Sequence, residues 1–274
     1  MYKGFNLDFD EEYFIESIGY KDYATIYDTE VIETYKENIN FSIEKIKKNI
    51  KEIDGTELQN SWFPNIESHI FLSHSHSDEE IVKRFAGYLY SELGIKVFID
   101  STIWRDSNEE LIKLMNKYAK WEQYEIIPNG DIRVCYVEEV FKFKDNINMM
   151  LLMALTKMIN NTDCFLFFNT NNSTINEYHN SKTYSPWIYY EIGISKCIEK
   201  IKRKNIIETF SSKHKSSTES INMTFDLDTE HLTKLTTDKF IEWVNICKNT
   251  NIKTYDALDN LYNINKNNLH NVFR

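Results

Sequence analysis

Nine residues, Ser185-Pro186-Trp187-Ile188-Tyr189-Tyr190-Glu191-Ile192-Gly193, place a glutamate four positions beyond a tryptophan, just after a strong helix-start signal. Ser185 is a good N-cap because its hydroxyl can accept from an otherwise unpaired backbone N–H. Pro186 suits the first helical position, where the amide it lacks would be orphaned anyway. On the helix so begun, Trp187 and Glu191 share one face. A glutamate in a helix is most often a solvated residue, and a tryptophan is as readily simple core. Beside an aromatic wall, however, a carboxylate is desolvated and held still. Those are the conditions for a general base or for stabilising a developing sugar cation.

A second run, His74-Ser75-His76-Ser77-Asp78, offers different chemistry. Its HxHxD spacing resembles the start of the metallo-β-lactamase signature, in which two imidazoles and a carboxylate ligate zinc for hydrolysis. That signature continues with a histidine where this chain has Glu79, and His69, His179, His214, His231 and His270 lie in no glycine-rich loop that would complete it. The expectation is therefore no metal, with Asp78 capping the helix that runs to Leu93 and with Ser73 and Ser75 lining a polar rim.

The elements that must position these groups are short apolar runs alternating with amphipathic ones. His69–Ser73, Ile95–Ile99, Cys164–Phe168 and, more weakly, Asn205–Ile207 are rich in β-branched and aromatic residues, as suits strands covered on both faces. Between them lie helical patterns at Ile81–Leu93, Met150–Ile159 and Trp187–Ile198. Strand alternating with helix implies a parallel, doubly wound sheet with right-handed crossovers. Ligands in such sheets sit beyond the carboxyl ends of the strands. Those ends here are polar: Ser73 to Asp78, Asp100-Ser101-Thr102 and Asn169-Thr170-Asn171-Asn172. The helix of Glu191 starts on the same side.

Upstream, apolar residues at Ile32, Tyr35, Ile39, Ile43, Ile46, Ile50 and Ile53 predict one amphipathic helix over Val31–Ile53, ended by Asp54-Gly55. Trp121 to Asn148 reads as an insertion, with a turn at Pro128-Asn129-Gly130-Asp131 and an extra hairpin or strand over Ile132–Phe143. After a Ser/Lys/Thr-rich loop at Ser211–Ser220, a last strand is expected within Asn222–Asp228 and a helix around Phe240–Cys247.

Composition bounds the function classes. At 274 residues the chain can bury a full core, and 42% hydrophobic with 14% aromatic residues argues against extended disorder. Seven Gly and three Pro are too few for a turn-dense β architecture. A net charge of -10 disfavours a nucleic-acid scaffold, which needs a concentrated basic face. Cys135, Cys164, Cys197 and Cys247 form no CxxC pair, which points to a reducing cytoplasm without a disulfide framework. The acidic start at Asp8, Asp10, Glu11 and Glu12 is unlike a signal peptide, and the most apolar run, Met149–Leu155, is far short of the ~20 residues that span a bilayer. A soluble protein is expected.

Three segments, in order, resemble the Toll/interleukin-1 receptor (TIR) domain: His69 to Asp78 its first strand and loop, Gly94 to Asp100 the second strand entering the BB loop, and Ser185 to Gly193 its Trp-x-x-x-Glu helix. The resemblance covers about residues 67–228. It implies an α/β, flavodoxin-like, five-stranded parallel sheet of order 2-1-3-4-5, with a helical N-terminal extension (1–66) and a C-terminal extension (229–274). It further implies cleavage of the nicotinamide–ribose bond of NAD+, which is substrate rather than cofactor. By position, Glu191 is the catalytic carboxylate and Trp187 the aromatic wall. Ser73, His74, Ser75, Asp100 and Trp104 fall on the rim of the nucleotide pocket. The insertion-bearing form looks most like bacterial TIR proteins of Thoeris-type antiphage defence, in which an ADP-ribose-derived product activates a separate effector and the enzyme self-assembles on activation. Other TIR domains only recruit further TIR proteins, and that remains the competing reading, ahead of a metal-dependent hydrolase built on His74, His76 and Asp78. The loop after Asp100, Ser101 to Ser107, lacks the glycine often found in the BB loop.

Overall fold

The computed structural model describes residues 1–35, 55–103, 121–127, 130–135, 137–177, 180–198 and 224–270. The chain divides into two compact units: Met1–Glu33 with Ile66–Ile99 and Met158–Arg274, and Thr34–Asn65 with Asp100–Lys157.

The first unit is α/β, built on a five-stranded, all-parallel sheet. In chain order its elements begin with β1 (Lys3–Asp8), α1 (Glu11–Ile18) and α2 (Tyr23–Tyr27), the last continued by a π-helical turn at Asp28–Ile32. The second unit then contributes α3 (Gly55–Trp62), and the first unit continues with β2 (Ile70–Ser73). Next come α4 (Glu79–Leu93), β3 (Val97–Phe98) and, again in the second unit, α5 (Asp100–Ile103). The second unit also holds an antiparallel hairpin, β4 (Trp121–Ile127) with β5 (Gly130–Cys135), and most of helix α6 (Val137–Asn161). The first unit resumes with β6 (Cys164–Asn169), β7 (Ile175–Glu177), β8 (Asn180–Thr183) and α7 (Pro186–Cys197), followed by β9 (Phe225–Asp226), β10 (Thr233–Thr236), α8 (Thr237–Asn249) and α9 (Thr254–His270).

Across the sheet the order is β10-β1-β6-β2-β3. The three strands anticipated near 70, 97 and 164 lie side by side, with β2 between β3 and β6. The remaining two positions correct the expected organisation. Strand β1 sits in the sheet interior, paired parallel with both β6 and β10, and β10 forms the edge. Numbered along the chain, the five strands therefore run 5-1-4-2-3 rather than 2-1-3-4-5. The ends assigned to extensions, 1–66 and 229–274, supply two of the five strands. The reason lies in residues 3 to 9, where Phe5, Leu7 and Phe9 alternate with polar residues, the period of a strand and not of a helix. Phe5 and Leu7 are wholly buried there.

Both faces of the sheet are covered. On one, Phe168 packs against Phe9 (ring centroids 4.1 Å apart) and Phe85 of α4 (5.3 Å), and Phe85 stacks on Phe240 of α8 (4.7 Å). On the opposite face Phe71 stacks with Phe98 and Phe165. Each of the fully buried rings among these, Phe9 being only half-buried, stabilises the fold by roughly 1.5–3 kcal/mol. Helix α4 approaches α2 closely because Gly87 has no side chain: a Cβ there would lie 1.8 Å from the Tyr23 carbonyl oxygen. It ends at Gly94, whose φ of +66° is the left-handed cap that glycine adopts freely.

Other expectations meet the structure unevenly. The helix foreseen over Val31–Ile53 lies outside the described residues for 36–54, and Gly55, read as its stop, opens α3. The weak strand at 205–207 and the loop at 211–220 also lie outside them. Within the insertion a hairpin does form, but its second strand ends at Cys135 and α6 takes over from Val137, well before Phe143. The strand expected in Asn222–Asp228 is β9, which pairs with β8 instead of joining the central sheet. Among the described residues no helix is long and apolar enough to cross a membrane.

Candidate functional site

Helix α7 begins as its sequence dictates. Ser185 is the N-cap, its Oγ accepting from the Ile188 N–H at 3.3 Å, and Pro186 takes the first helical position. Its buried positions are Ile188, Glu191, Ile192 and Ser195, a stripe at spacings of three and four. Glu191 therefore lies in the middle of the face the helix buries, 2% exposed, and α7 packs against β2, β8 and β9. Trp187, one turn earlier, is half-buried. A carboxylate so withdrawn from water feels every nearby charge and dipole far more strongly than a surface glutamate does.

At the end of β2, Ser73 is fully buried and its hydroxyl has no hydrogen-bond partner among the described residues. Leaving a buried hydroxyl unmatched costs about 1–3 kcal/mol, so a polar group of a ligand placed there would be met by a ready partner. His74 is buried, with Nδ1 3.4 Å from the Leu72 carbonyl, a contact that is a hydrogen bond when that nitrogen carries the proton. Ser75 is half-buried and caps the single 3-10 turn His76–Asp78, accepting from the Ser77 N–H.

Asp78 does not cap α4 as expected. It occupies the N-cap position without a capping hydrogen bond, because Thr170 Oγ1 (2.6 Å) and Asn172 Nδ2 (2.5 Å), in the loop after β6, donate to its two oxygens. That engagement occupies both carboxylate oxygens, and the ring centroids of His74 and His76 stand 6.2 Å apart. Among the described residues no cluster of three or more His, Cys, Asp or Glu could hold a metal ion. Asp100 opens α5 in the second unit, and Trp104 lies outside the described residues.

A cleft of about 710 Å³ opens beyond the carboxyl ends of β1, β6 and β10, lined by Asp8, Asp10, Glu11, Asp78, Asp238 and the Thr170–Asn172 loop among others. Sequence reasoning missed it because β1 had gone unrecognised. Its carboxylates are largely committed to local structure. Asp10 caps α1 through the Tyr13 N–H, while Glu11 and Asp238 sit in the first turns of α1 and α8, where negative charge complements the helix dipole.

Also unforeseen is a pair on the helix of Glu191. Ser195, one turn beyond the glutamate and fully buried, lies 2.8 Å from His231 Nε2. The two are 36 positions apart in the chain, and no local pattern links them. Exposed Lys196 and Asp228 form an ion pair alongside. Its hydrogen bond lowers the pKa of Asp228 and raises that of Lys196. No protein-family model, curated protein or solved structure matches this chain.

Proposed function

We propose that this chain is a TIR-type enzyme that cleaves the bond between nicotinamide and ribose in NAD+, with Glu191 as its catalytic carboxylate. The observation that carries the reading is the glutamate itself: 2% exposed in mid-helix, a turn beyond Trp187, on a helix packed against β2. The unmatched Ser73 hydroxyl at the end of that strand adds support, since it suits a polyhydroxylated substrate.

The nicotinamide of NAD+ carries its positive charge on the ring nitrogen that is bonded to ribose. As that bond breaks the electron pair stays with nicotinamide, which leaves neutral, and positive charge develops on the sugar. No general acid is required. A single carboxylate held in a dry site can stabilise the oxocarbenium-like transition state, the role one of two carboxylates plays in glycoside cleavage. NAD+ is consumed as substrate, and the acceptor is water, an adenine nitrogen of the same molecule, or an added nucleophile. The ADP-ribose-derived product would signal to a separate effector in antiphage defence. The enzyme itself would act in the bacterial cytoplasm as a homo-oligomer, in keeping with the resemblance of its three motifs.

The test is nicotinamide release from NAD+ by the full chain at concentrations that allow assembly, followed chromatographically with and without Glu191→Gln. A loss of about 10²–10³-fold in the variant is expected. Release undiminished in the variant, or absent from assembled protein, overturns the reading in favour of a non-catalytic TIR interaction module.

A further inference from the structure

The stretch Phe225–His231 is tied along α7 by contacts at its start, middle and end. At the start β9 pairs antiparallel with β8, Thr183 opposite Phe225, and the Phe225 ring stacks on Tyr189 with centroids 4.8 Å apart. In the middle Asp228 pairs with Lys196. At the end His231 Nε2 meets Ser195 Oγ. Ser195 has one hydroxyl proton, which it donates to the Ile192 carbonyl at 2.8 Å. Its oxygen then accepts from the imidazole in the tautomer that carries a proton on Nε2. With 3.6 residues per turn, Tyr189 and Lys196 project to nearly the same side of α7, and Ser195 projects about 120° away. Contacts in two directions resist rotation of a helix about its axis, the motion that would turn Glu191 off the face the helix buries.

We infer that Phe225–His231 is a strap that sets the rotation of α7, and that His231, acting through Ser195, is a positioning residue for the Glu191 carboxylate. This rests on Glu191 being the catalytic group. Misplacing a reacting group by about 1 Å can cost about a hundredfold in rate, which makes a hydrogen bond one turn away consequential.

The experiment uses the full chain with His231→Ala, His231→Gln and Glu191→Gln. Steady-state nicotinamide release from NAD+ is measured together with amide hydrogen exchange across residues 186–197. Glutamine is chosen because its amide places an N–H donor where Nε2 stood. His231→Ala is expected to lower kcat about ten- to a hundredfold with little change in KM, and to speed exchange in 186–197 selectively. His231→Gln should restore both. Unchanged exchange in 186–197, exchange rising equally throughout the first unit, or failure of glutamine to restore either property overturns the strap. An unchanged kcat in His231→Ala, beside an inactive Glu191→Gln, overturns the positioning role. Full activity in Glu191→Gln removes the catalytic assignment instead, and the exchange data then decide the strap alone.

Discussion

The first unit carries two sets of carboxylates, the acids of the cleft and the buried Glu191, and they differ in what holds them. Those of the cleft over β1, β6 and β10 stand around an open space, and most are spent on local structure: Asp10 on the cap of α1, Asp78 on Thr170 and Asn172, Asp238 at the start of α8. Glu191 stands in the middle of a helix where no cap needs it, on the face the helix buries. The cleft thus gathers acids with structural roles, while the chemistry is proposed where a carboxylate is withdrawn from water. Cavity size and concentration of charge are poor guides beside desolvation and position, because a carboxylate in contact with water is screened and mobile.

The largest expected effect is on the buried side: Glu191→Gln should cut nicotinamide release about 10²–10³-fold while circular dichroism shows the fold retained. On the cleft side, Asp78→Ala should lower unfolding free energy by about 1–3 kcal/mol in denaturant titration, since it strips an acceptor from Thr170 and Asn172. The folded fraction should still release nicotinamide. Activity lost from a fully folded Asp78→Ala protein would merge the two sets into one site.

Smaller changes sharpen the contrast. Ser73→Ala removes a buried hydroxyl that has no partner, so stability should hold or rise by up to about 1 kcal/mol, whereas KM for NAD+ should increase. A fall in stability there would mean that the hydroxyl serves the fold and not a ligand. The smallest effect belongs to the exposed pair. Asp228 has its pKa depressed by Lys196, so its share of strap stability is present above the unfolded aspartate value of about 4 and is lost as pH falls through the lower folded value. Lys196 has its pKa raised, and its share is lost as pH rises through that raised value, above about 10. Asp228→Asn should therefore speed exchange in 186–197 only slightly at neutral pH, less than His231→Ala does, and not at all in strong acid or high salt.

Legibility from sequence followed the range of the interactions. The start of α7 was readable because Ser185, Pro186 and the amide they serve are neighbours. Strands β2, β3 and β6 announced themselves as unbroken apolar runs, since burial on both faces leaves no polar position. Strand β1 carries the alternation of Phe5, Leu7 and Phe9, but six residues beside an acidic stretch give only a weak local signal. Asp78 was read by its local option, a helix cap, when two donors from a loop some ninety positions away had the stronger claim.

By itself the sequence determined part of the local vocabulary: the strands near 70, 97 and 164, the start of α7, that Trp187 and Glu191 share a helical face, and that the strand ends are polar. Periodicity and capping depend on residues a few positions apart, so they need no knowledge of the rest of the chain. Only the tertiary structure decided that the two ends of the chain enter the central sheet, that Glu191 faces inward, and that His231 reaches Ser195. Those outcomes depend on which distant surfaces cover one another, and burial is a property of the packed molecule that no residue carries alone.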